Sequence, residues 1–413
     1  MVKTDVCVIG AGPAGAAAAL QLQQSGIPCV VVDKALFPRD KICGDGLSGK
    51  VLTALQRIDK SIGERLCQLP QKESSWGVTF VAPNRESLDI PYSPDYNSQN
   101  KTGIPAGFVC RRIDFDHFLV EELKRCKNIQ LFQGQAIDQY QLHNDGYLLT
   151  GPGNFSVHAK LVIVANGAHS SFTKEIAGIH MEPQHYCAGI RAYYQGVSGL
   201  HADGFIELHF LRSLLPGYFW IFPLPNGAAN VGISILSSVV RSKKMNLKKM
   251  LQDIVTHDPV LKERFKNALL LSNVEGYGLP LASKKRPLSG ERYMLTGDAG
   301  YLIDPFTGEG IGNALYSGRI AAQQAAACLQ ANDFSASFMK AYDNEVYRIL
   351  GPELQLSTKL QKLARRTWLF NFLMKTAMRN KQLRALMSSM FYEIDLRKKL
   401  ARPSFYVKLL LNR

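Results

Sequence analysis

The chain of 413 residues lacks long apolar runs, paired cysteines and internal repeats. A membrane-spanning helix needs about 18 uninterrupted apolar residues, and no segment reaches that length. The N-terminus has no charged-then-apolar signal, so we expect a cytoplasmic protein, or one peripheral to the inner face of the membrane. None of the eight cysteines belongs to a CxxC pair, which predicts reduced core thiols and no metal site. The absence of repeats and low-complexity linkers predicts interleaved domains rather than separate units in series.

Acidic residues are scarce, with 34 Asp and Glu against 49 Lys and Arg. Most of the excess lies in residues 359–413, where fourteen basic residues face two acidic ones, a net charge of +12. The same segment carries large apolar residues in helical patterns: Trp368, Leu369, Phe370, Phe372, Leu373, Met374, Met378, Leu383, Leu386, Met387, Met390 and Phe391. This pattern indicates a membrane-surface element or a lid over an apolar site, or a helical bundle packed on the core with a solvated basic face. No motif for nucleic-acid binding accompanies the charge, so we expect no nucleic-acid partner.

A dinucleotide fingerprint opens the chain. Residues 5–9 predict a buried strand, and the sequence GAGPAG at residues 10–15 follows it and begins a helix over residues 13–25. A second strand, residues 28–32, ends in Asp33, about 20 residues after the fingerprint, where an acid binds ribose hydroxyls. The order of strand, glycines, helix, strand and acid predicts a dinucleotide site more strongly than the glycines alone. The predicted cofactor contacts here are Gly10, Gly12, Pro13, Ala14, Gly15, Asp33 and Lys34.

A second glycine-rich segment, residues 296–315, lies nearly three hundred positions later. An apolar strand ends in Gly297-Asp298, and the aspartate can accept a hydrogen bond from a ribityl hydroxyl. Residues 308–312 begin a long helix, whose N-terminus can stabilise the anionic edge of a reduced flavin ring. The alternative is a capping aspartate and a tight turn. Because a nicotinamide dehydrogenase needs no such second segment, the pair predicts FAD, with NAD(P)H or another electron donor as a transient reductant. The predicted contacts are Asp298, Gly308, Gly310, Ile311 and Gly312.

Two further motifs carry candidate chemistry. In CGDGLS, residues 43–48, the glycines bring the backbone close to a planar ring, with Cys43 or Asp45 at its edge; Cys43 is a candidate nucleophile or a packing residue. Arg112, before a predicted helix, can bind a pyrophosphate with forked donors or pair structurally with Asp114 or Asp116.

An aromatic strand lies in the second half of the chain. Because successive side chains alternate across a strand, Tyr218, Trp220 and Phe222 share one face. They could line an apolar substrate cavity or fill a core between sheet and helix.

The fold class follows from the order of elements. We predict an α/β protein with a Rossmann-like FAD-binding domain formed by residues 1–67, 108–174 and 286–330. Residues 68–107 and 175–285 are predicted to form an inserted antiparallel-sheet substrate domain, with an Asn-Gly hairpin turn at residues 226–227 and a helix over residues 246–265. Residues 331–413 form the predicted C-terminal basic helical region.

Together the motifs GxGxxG, CGDGLS, RxxFD, GYxWxFP and GDAGxxxDPxTGEGIxxAL resemble the geranylgeranyl reductase family, within flavoproteins of the p-hydroxybenzoate hydroxylase fold. The resemblance spans residues 1 to 330 and implies an FAD-dependent reductase that saturates double bonds of an isoprenoid chain: a prenyl lipid, a quinone tail or a pigment side chain. It implies FAD contacts at the residues above and at Ala136, in a strand after Gly134. It also implies that Cys43 and Gly44 lie near the isoalloxazine, and that Tyr218, Trp220 and Phe222 line the lipid cavity.

The proposed reaction is hydride transfer from reduced flavin with a proton added at the other carbon. Cys43, Asp45 acting through a water, and Tyr218 are the candidate proton donors, and the faces of Tyr218 and Trp220 could stabilise positive charge. Two departures from the wider group matter. Asn166-Gly167, followed by Ser170, Ser171 and Lys174, stands where that group often has Asp-Gly followed by Arg, and the last 80 residues carry no family signature. The alternatives are a flavin-dependent monooxygenase or halogenase acting on an apolar or aromatic substrate, and a membrane-attached flavin carrier without turnover.

Overall fold

The computed structural model describes residues 1–93, 96–98 and 105–392. The last part of the predicted basic region, residues 393–413, therefore lies outside the described residues, and so do the side chains of Met390 and Phe391. All eight cysteines are described, and all are free thiols.

The strands are, in chain order, β1 (Val2–Ile9), β2 (Cys29–Asp33), β3 (Gly46–Leu47), β4 (Lys72–Ser75), β5 (Gly77–Val81), β6 (Ser87–Pro91), β7 (Gly107–Cys110), β8 (Ile129–Gln133), β9 (Gln139–His143), β10 (Gly146–Thr150), β11 (Ser156–Val164), β12 (Tyr186–Gln195), β13 (Ile206–His209), β14 (Tyr218–Leu224), β15 (Ala228–Leu236), β16 (Leu269–Leu270), β17 (Glu275–Pro280), β18 (Ser289–Gly290) and β19 (Tyr293–Leu295). The helices are α1 (Pro13–Gln24), α2 (Gly49–Ile58), α3 (Lys60–Gln68), α4 (Arg112–Lys124), α5 (Ser171–Glu175), α6 (Ser237–Ser242), α7 (Leu247–His257), α8 (Leu261–Phe265), α9 (Ile311–Ala331), α10 (Ala336–Ala364), α11 (Thr367–Arg379) and α12 (Lys381–Tyr392).

A parallel sheet with the order β19-β11-β1-β2-β8 forms the nucleotide-binding half, and β18, β10 and β9 extend it in antiparallel pairs. The apolar runs of β1 and β2 are buried, as expected for strands covered on both faces. Helix α1 crosses from β1 to β2 and packs closely on α9, which begins after the second glycine-rich segment. The two glycine-rich helix starts are thus brought together, and the predicted Rossmann-like α/β fold is confirmed.

A second sheet, β16-β12-β15-β14-β13-β5-β6, contains the aromatic strand. The hairpin of β14 and β15 turns at the predicted Asn-Gly, with Asn226 and Gly227 at φ of 62° and 73°, the left-handed region that Asn-Gly sequences favour. The predicted antiparallel character is incomplete, because β13 and β5 pair in parallel where the two inserted segments meet.

Strand β7 pairs with β3 and β4 in a separate three-stranded sheet. Two other local predictions need correction. The helix expected over residues 246–265 is two helices, α7 and α8, interrupted at Asp258 and Pro259, because the residue before a proline disfavours the helical region. Ala136 lies in an extended loop after β8 instead of in a strand.

Helices α10 to α12 pack against the second sheet. Phe370, Met374 and Leu386 share one hydrophobic core with Tyr218 and Trp220 of β14, as a helical bundle packed on the core predicts. On the opposite side of α11, Trp368 and Phe372 are 69% and 64% exposed. Among the described helices, none is both long and apolar enough to cross a membrane.

Candidate FAD site and adjoining cavity

The turn from β1 to α1 depends on its glycines. Gly10 has φ of 106° and donates its N–H to Val32 O at 2.7 Å, and a Cβ there would lie 2.5 Å from Ala165 O. A Cβ at Gly15 would overlap the carbonyl oxygen of Gly10, so Gly15 permits contact between helix and strand. Gly12 differs, because the nearest atom to a Cβ there is Arg39 Nη2, at 3.7 Å. Gly12 therefore faces the cavity beside the Arg39 side chain, a position from which a backbone can approach a phosphate.

The first turn of α1 is available to a ligand. Gly12 precedes Pro13 at the helix start, and none of the described side chains caps this end. Helix N–H groups without partners attract anions. At the end of β2, Asp33 Oδ2 accepts from Ala11 N at 2.7 Å and Oδ1 accepts from Ala35 N at 2.8 Å, which fixes the carboxylate at the cavity wall.

The second glycine-rich segment lies on the other side of the same cavity. Asp298 lines it and pairs with Lys41, Nζ to Oδ2, at 2.9 Å. Gly308, Gly310 and Ile311 also line it. Gly312 does not, because its α-carbon faces α2: a Cβ there would lie 2.8 Å from Lys50 Cβ. Gly15 and Gly312 are therefore packing glycines, and the prediction that both contact the cofactor is not supported by their positions.

Arg112 has the structural pairing that was predicted as one of its two roles, and it also faces the cavity. It is 2% exposed and binds Asp116 through two bonds of 2.7 Å, so the structural pairing is with Asp116 rather than Asp114. It also lines the cavity beside the Cys43 side chain. The charge of Asp116 and the contact with Cys43 outweigh burial and raise the pKa of Arg112.

The CGDG loop separates into exposed and buried residues. Cys43 and Gly44 line the cavity, whereas Asp45 is fully buried and is not a wall residue. Asp45 accepts from Arg112 N at 3.2 Å, and Tyr193 Oη and Asn230 Nδ2 both donate to it at 2.8 Å. These three donors enclose the carboxylate. The placement of Asp45 therefore does not support the prediction that it donates a proton through a nearby water.

Burial dominates the electrostatics of Asp45. It raises the pKa of the carboxyl to about 6, although the hydrogen bonds from Asn230 and Tyr193 and the charge of Arg191 act in the opposite direction. The side chain holds the loop with φ of 68° at Asp45. We interpret Asp45 as the anchor of the Cys43 loop.

The aromatic face of β14 serves both as core and as wall. Tyr218, Trp220 and Phe222 line the cavity and belong to the second-sheet core. Tyr218 Oη donates to Thr307 O at 2.6 Å, and Trp220 Nε1 donates to Asn230 Oδ1 at 2.9 Å. The polar atoms of these rings are thus satisfied, and their apolar surfaces remain for an apolar ligand.

The cavity is also lined by charged residues that sequence reasoning did not assign: Arg39, Asp40, Lys41, Arg191, Glu275 and Glu309. Arg191 is 1% exposed and pairs with Asp40 and, at 3.4 Å, with Glu275. In the sequence, Arg191 could have been recognised as a site residue because it is an arginine inside the otherwise apolar pattern of β12. The partners, however, come from distant parts of the chain.

The cavity has the size and the polar groups of a cofactor site. Its volume is about 630 Å³, within the roughly 300–1,000 Å³ typical of small-molecule and cofactor sites. Lys34 and Ala136, both predicted FAD contacts, line the cavity with Asp33. Asn166 Oδ1 is buried at the wall and accepts no hydrogen bond from the described residues, so it can accept one from a ligand. The glycine cradle, the uncapped N-terminus of α1 and this acceptor are compatible with a flavin dinucleotide.

Comparisons with known proteins agree with this geometry. Residues 3–210 match the family model described as FAD binding domain, and residues 190–276 match the geranylgeranyl reductase catalytic domain. A menaquinone reductase of Mycobacterium tuberculosis is 29% identical over 78% of this chain and 76% of its own. Digeranylgeranylglycerophospholipid reductase 2 of Methanopyrus kandleri is 27% identical over 87% of this chain and 86% of its own.

Solved structures share the fold. A geranylgeranyl bacteriochlorophyll reductase-like protein from Thermoplasma acidophilum has a TM-score of 0.78 at 23% identity, covering 97% of this chain and 99% of that one. A flavin-dependent brominase has a TM-score of 0.76 at 20% identity, covering 95% and 94%. Because the reductase-like protein and the brominase have almost the same score, the fold alone does not select the reaction.

Proposed function

Because the chain belongs to the geranylgeranyl reductase family and is an FAD-dependent oxidoreductase, we propose that it saturates carbon–carbon double bonds of an isoprenoid chain. The observation that carries the proposal is the single cavity that joins the FAD cradle at Gly12 and Asp298 to the aromatic face of β14. An apolar chain fits beside Tyr218, Trp220 and Phe222. The relatives named for menaquinone and for a digeranylgeranyl glycerophospholipid support a prenyl lipid, a quinone tail or a pigment side chain as substrate.

FAD, when bound and reduced, supplies the hydride. The chain's own residues bind, orient and exclude water. Trp220 and Phe222 present buried rings, and cation–π contacts in a dry site contribute about 2 kcal/mol or more to a developing positive charge. The hydrogen bond from Tyr218 to Thr307 ties the aromatic wall to the glycine-rich segment. We expect NAD(P)H or another small donor to be a transient reductant.

Mass spectrometry of polyprenyl lipids in cells with and without the protein tests the reaction. We expect a gain of two hydrogens for each saturated bond. An added oxygen would indicate a hydroxylase, an added halogen a halogenase, and no change a flavin carrier. Any of these three results would overturn the proposed reaction. Cells expressing an FAD-deficient variant provide the matched control.

We further propose that the protein attaches to an anionic membrane surface through α11. Trp368, Phe372, Lys375 and Arg379 are exposed and share one side of the helix at spacings of four, three and four residues. Exposed aromatics between basic side chains suit the interface of an anionic bilayer. Such attachment would place the enzyme at the surface where prenyl lipids reside.

A further inference from the structure

A buried group of charges lies behind the glycine-rich segment. It consists of Lys50 on α2, Asp304 and Glu309 in the loop before α9, and Glu353 on α10. Lys50 is 1% exposed and forms an ion pair with Glu353, and Asp304 is fully buried. We call these four residues the carboxyl cluster. Sequence reasoning did not find it, because its members are up to 303 positions apart.

The carboxyl cluster holds more acid than base. Three carboxyl groups face one ammonium group, and burial makes two uncompensated negative charges costly. Asp304 Oδ2, Glu309 Oε2 and Glu353 Oε2 are buried, and none of them accepts a hydrogen bond from the described residues. A carboxylate oxygen without a donor is poorly stabilised, whereas a carboxylic acid can carry its proton there. Burial of Glu309 and Glu353 with unpaired oxygens therefore favours a proton shared between these two carboxyl groups.

The pKa shifts of these residues agree with the excess of carboxyl groups over ammonium groups. Burial raises the pKa of Glu353 to about 8; the charges of Asp304 and Glu309 act in the same direction, and Lys50 opposes them. Burial also raises the pKa of Glu309, against the charge of Lys50 and the hydrogen bond from Gly312 N. The carboxylates keep Lys50 protonated by raising its pKa, although burial alone would lower it. Tyr92 also faces Glu309.

Glu309 connects the carboxyl cluster to the cavity. It lines the cavity between Gly308 and Gly310, and its Oε1 accepts from Gly312 N at 2.7 Å and from Ser48 Oγ at 3.3 Å. A Cβ at Gly312 would lie 2.8 Å from Lys50 Cβ and 2.9 Å from Glu309 Oε1. The missing side chain of Gly312 thus lets Glu309 and Lys50 approach each other. Glu353 lies on the far side, away from the cavity wall.

On the premise of the proposed reductase function, we propose that Glu309 is the proton donor of the reaction and that Lys50 and Glu353 position and replenish its proton. As the hydride of reduced flavin bonds to one alkene carbon, the π electron pair bonds the other carbon to the Glu309 proton. The O–H bond breaks, the alkene is reduced and the flavin is oxidised. The Glu309 carboxylate then regains a proton from the cluster, which is refilled from water.

The test compares FAD-loaded wild type with Glu309→Gln and Glu353→Gln. Glu345→Gln, an exposed position on α10, is the matched control. Infrared difference spectra between about pH 5 and pH 9 report the cluster without turnover. We expect a carboxylic C=O band that titrates near pH 8 in the wild type and in Glu345→Gln, and that is lost or shifted in the other two variants. A wild type with no carboxylic acid titrating above about pH 6 would overturn the proposal.

Single-turnover oxidation of reduced flavin by a prenyl lipid supplies the second readout. Glu309→Gln should slow this step about 100-fold or more, with FAD absorbance and lipid binding retained. Glu353→Gln should move the pH–rate profile with a smaller loss of rate. If the wild type turns over and Glu309→Gln keeps its rate and its pH profile, Glu309 is not the donor. If the wild type itself leaves the lipid unreduced while the infrared band is present, the proposed substrate class fails instead.

Discussion

Gly12→Ala should separate cofactor binding from folding. Gly12 has φ of −70° and ψ of −175°, which alanine adopts, and the nearest atom to its Cβ is Arg39 Nη2 at 3.7 Å. The apoprotein therefore has room for the methyl group. A pyrophosphate approaching the N-terminus of α1 would meet that methyl group instead of bare backbone.

The magnitudes follow from the contacts. Displacing the pyrophosphate would remove at least one charge-assisted hydrogen bond, which contributes about 1.5–3 kcal/mol, so FAD affinity should fall about 10- to 150-fold. The unfolding free energy of the apoprotein should fall by only about 1 kcal/mol, because alanine is a poorer N-cap than glycine. Gly15→Ala should behave differently: its Cβ would overlap the carbonyl oxygen of Gly10, so the apoprotein itself should lose about 3 kcal/mol or fail to fold.

Two assays check this contrast. Deflavinated protein titrated with FAD gives the affinity, and urea denaturation of the same sample gives the unfolding free energy. Gly351→Ala is the control, because it lies within α10 with only Tyr347 Cβ near, at 3.9 Å, and should stabilise the helix by up to about 1 kcal/mol without changing FAD affinity. A Gly12→Ala protein that binds FAD as tightly as the wild type would refute the placement of the pyrophosphate.

Three further predictions concern other parts of the site. Asp298→Ala removes the cavity carboxylate that pairs with Lys41, so the purified variant should retain less flavin per protein; full flavin absorbance would show that Asp298 does not hold FAD. Burial raises the pKa of Asp45 in the folded state to about 6, so the folded state binds more protons than the unfolded state and the unfolding free energy falls as the pH rises from about 4 to 7. In denaturation curves between about pH 4.5 and 7.5, Asp45→Asn should reduce this fall by about 2 kcal/mol. The same pH dependence in the variant and the wild type would contradict the prediction. Trp368→Ala combined with Phe372→Ala should lower co-sedimentation with anionic vesicles several-fold while FAD content stays constant, since both side chains are exposed; unchanged sedimentation would argue against attachment through α11.

The features that could be predicted from the sequence are those encoded by short motifs. The fingerprint at residues 10–15, Asp33 and the Asn-Gly hairpin each depend on neighbours within about 25 residues, and the structure places them as expected. Which glycine faces a ligand and which faces a helix depends on packing. Motif spacing therefore grouped Gly15 and Gly312 with the cofactor contacts, although their Cβ positions meet protein atoms.

The motifs did not predict which residues, distant in the sequence, contact each other in the folded protein. Asp45 looked accessible because glycines flank it, yet Tyr193 and Asn230 enclose it from another sheet. Lys50 gave a weak signal that was missed: it precedes Ala54 and Ile58 by four and eight residues and so lies on the buried stripe of α2. A charged residue on the buried side of a helix requires a buried partner, but only the folded structure identifies Glu353 as the partner of Lys50.

The aromatic wall has a second surface, which packs against the C-terminal helices. Tyr218 and Trp220 belong to the same core as Phe370 and Leu386 of the C-terminal helices, so the outline of the cavity depends on residues outside it. Substitutions such as Phe370→Leu could alter which chain lengths or degrees of unsaturation are accepted without removing one lining side chain. Selectivity among related enzymes can therefore diverge in helices that a comparison of cavity residues would overlook.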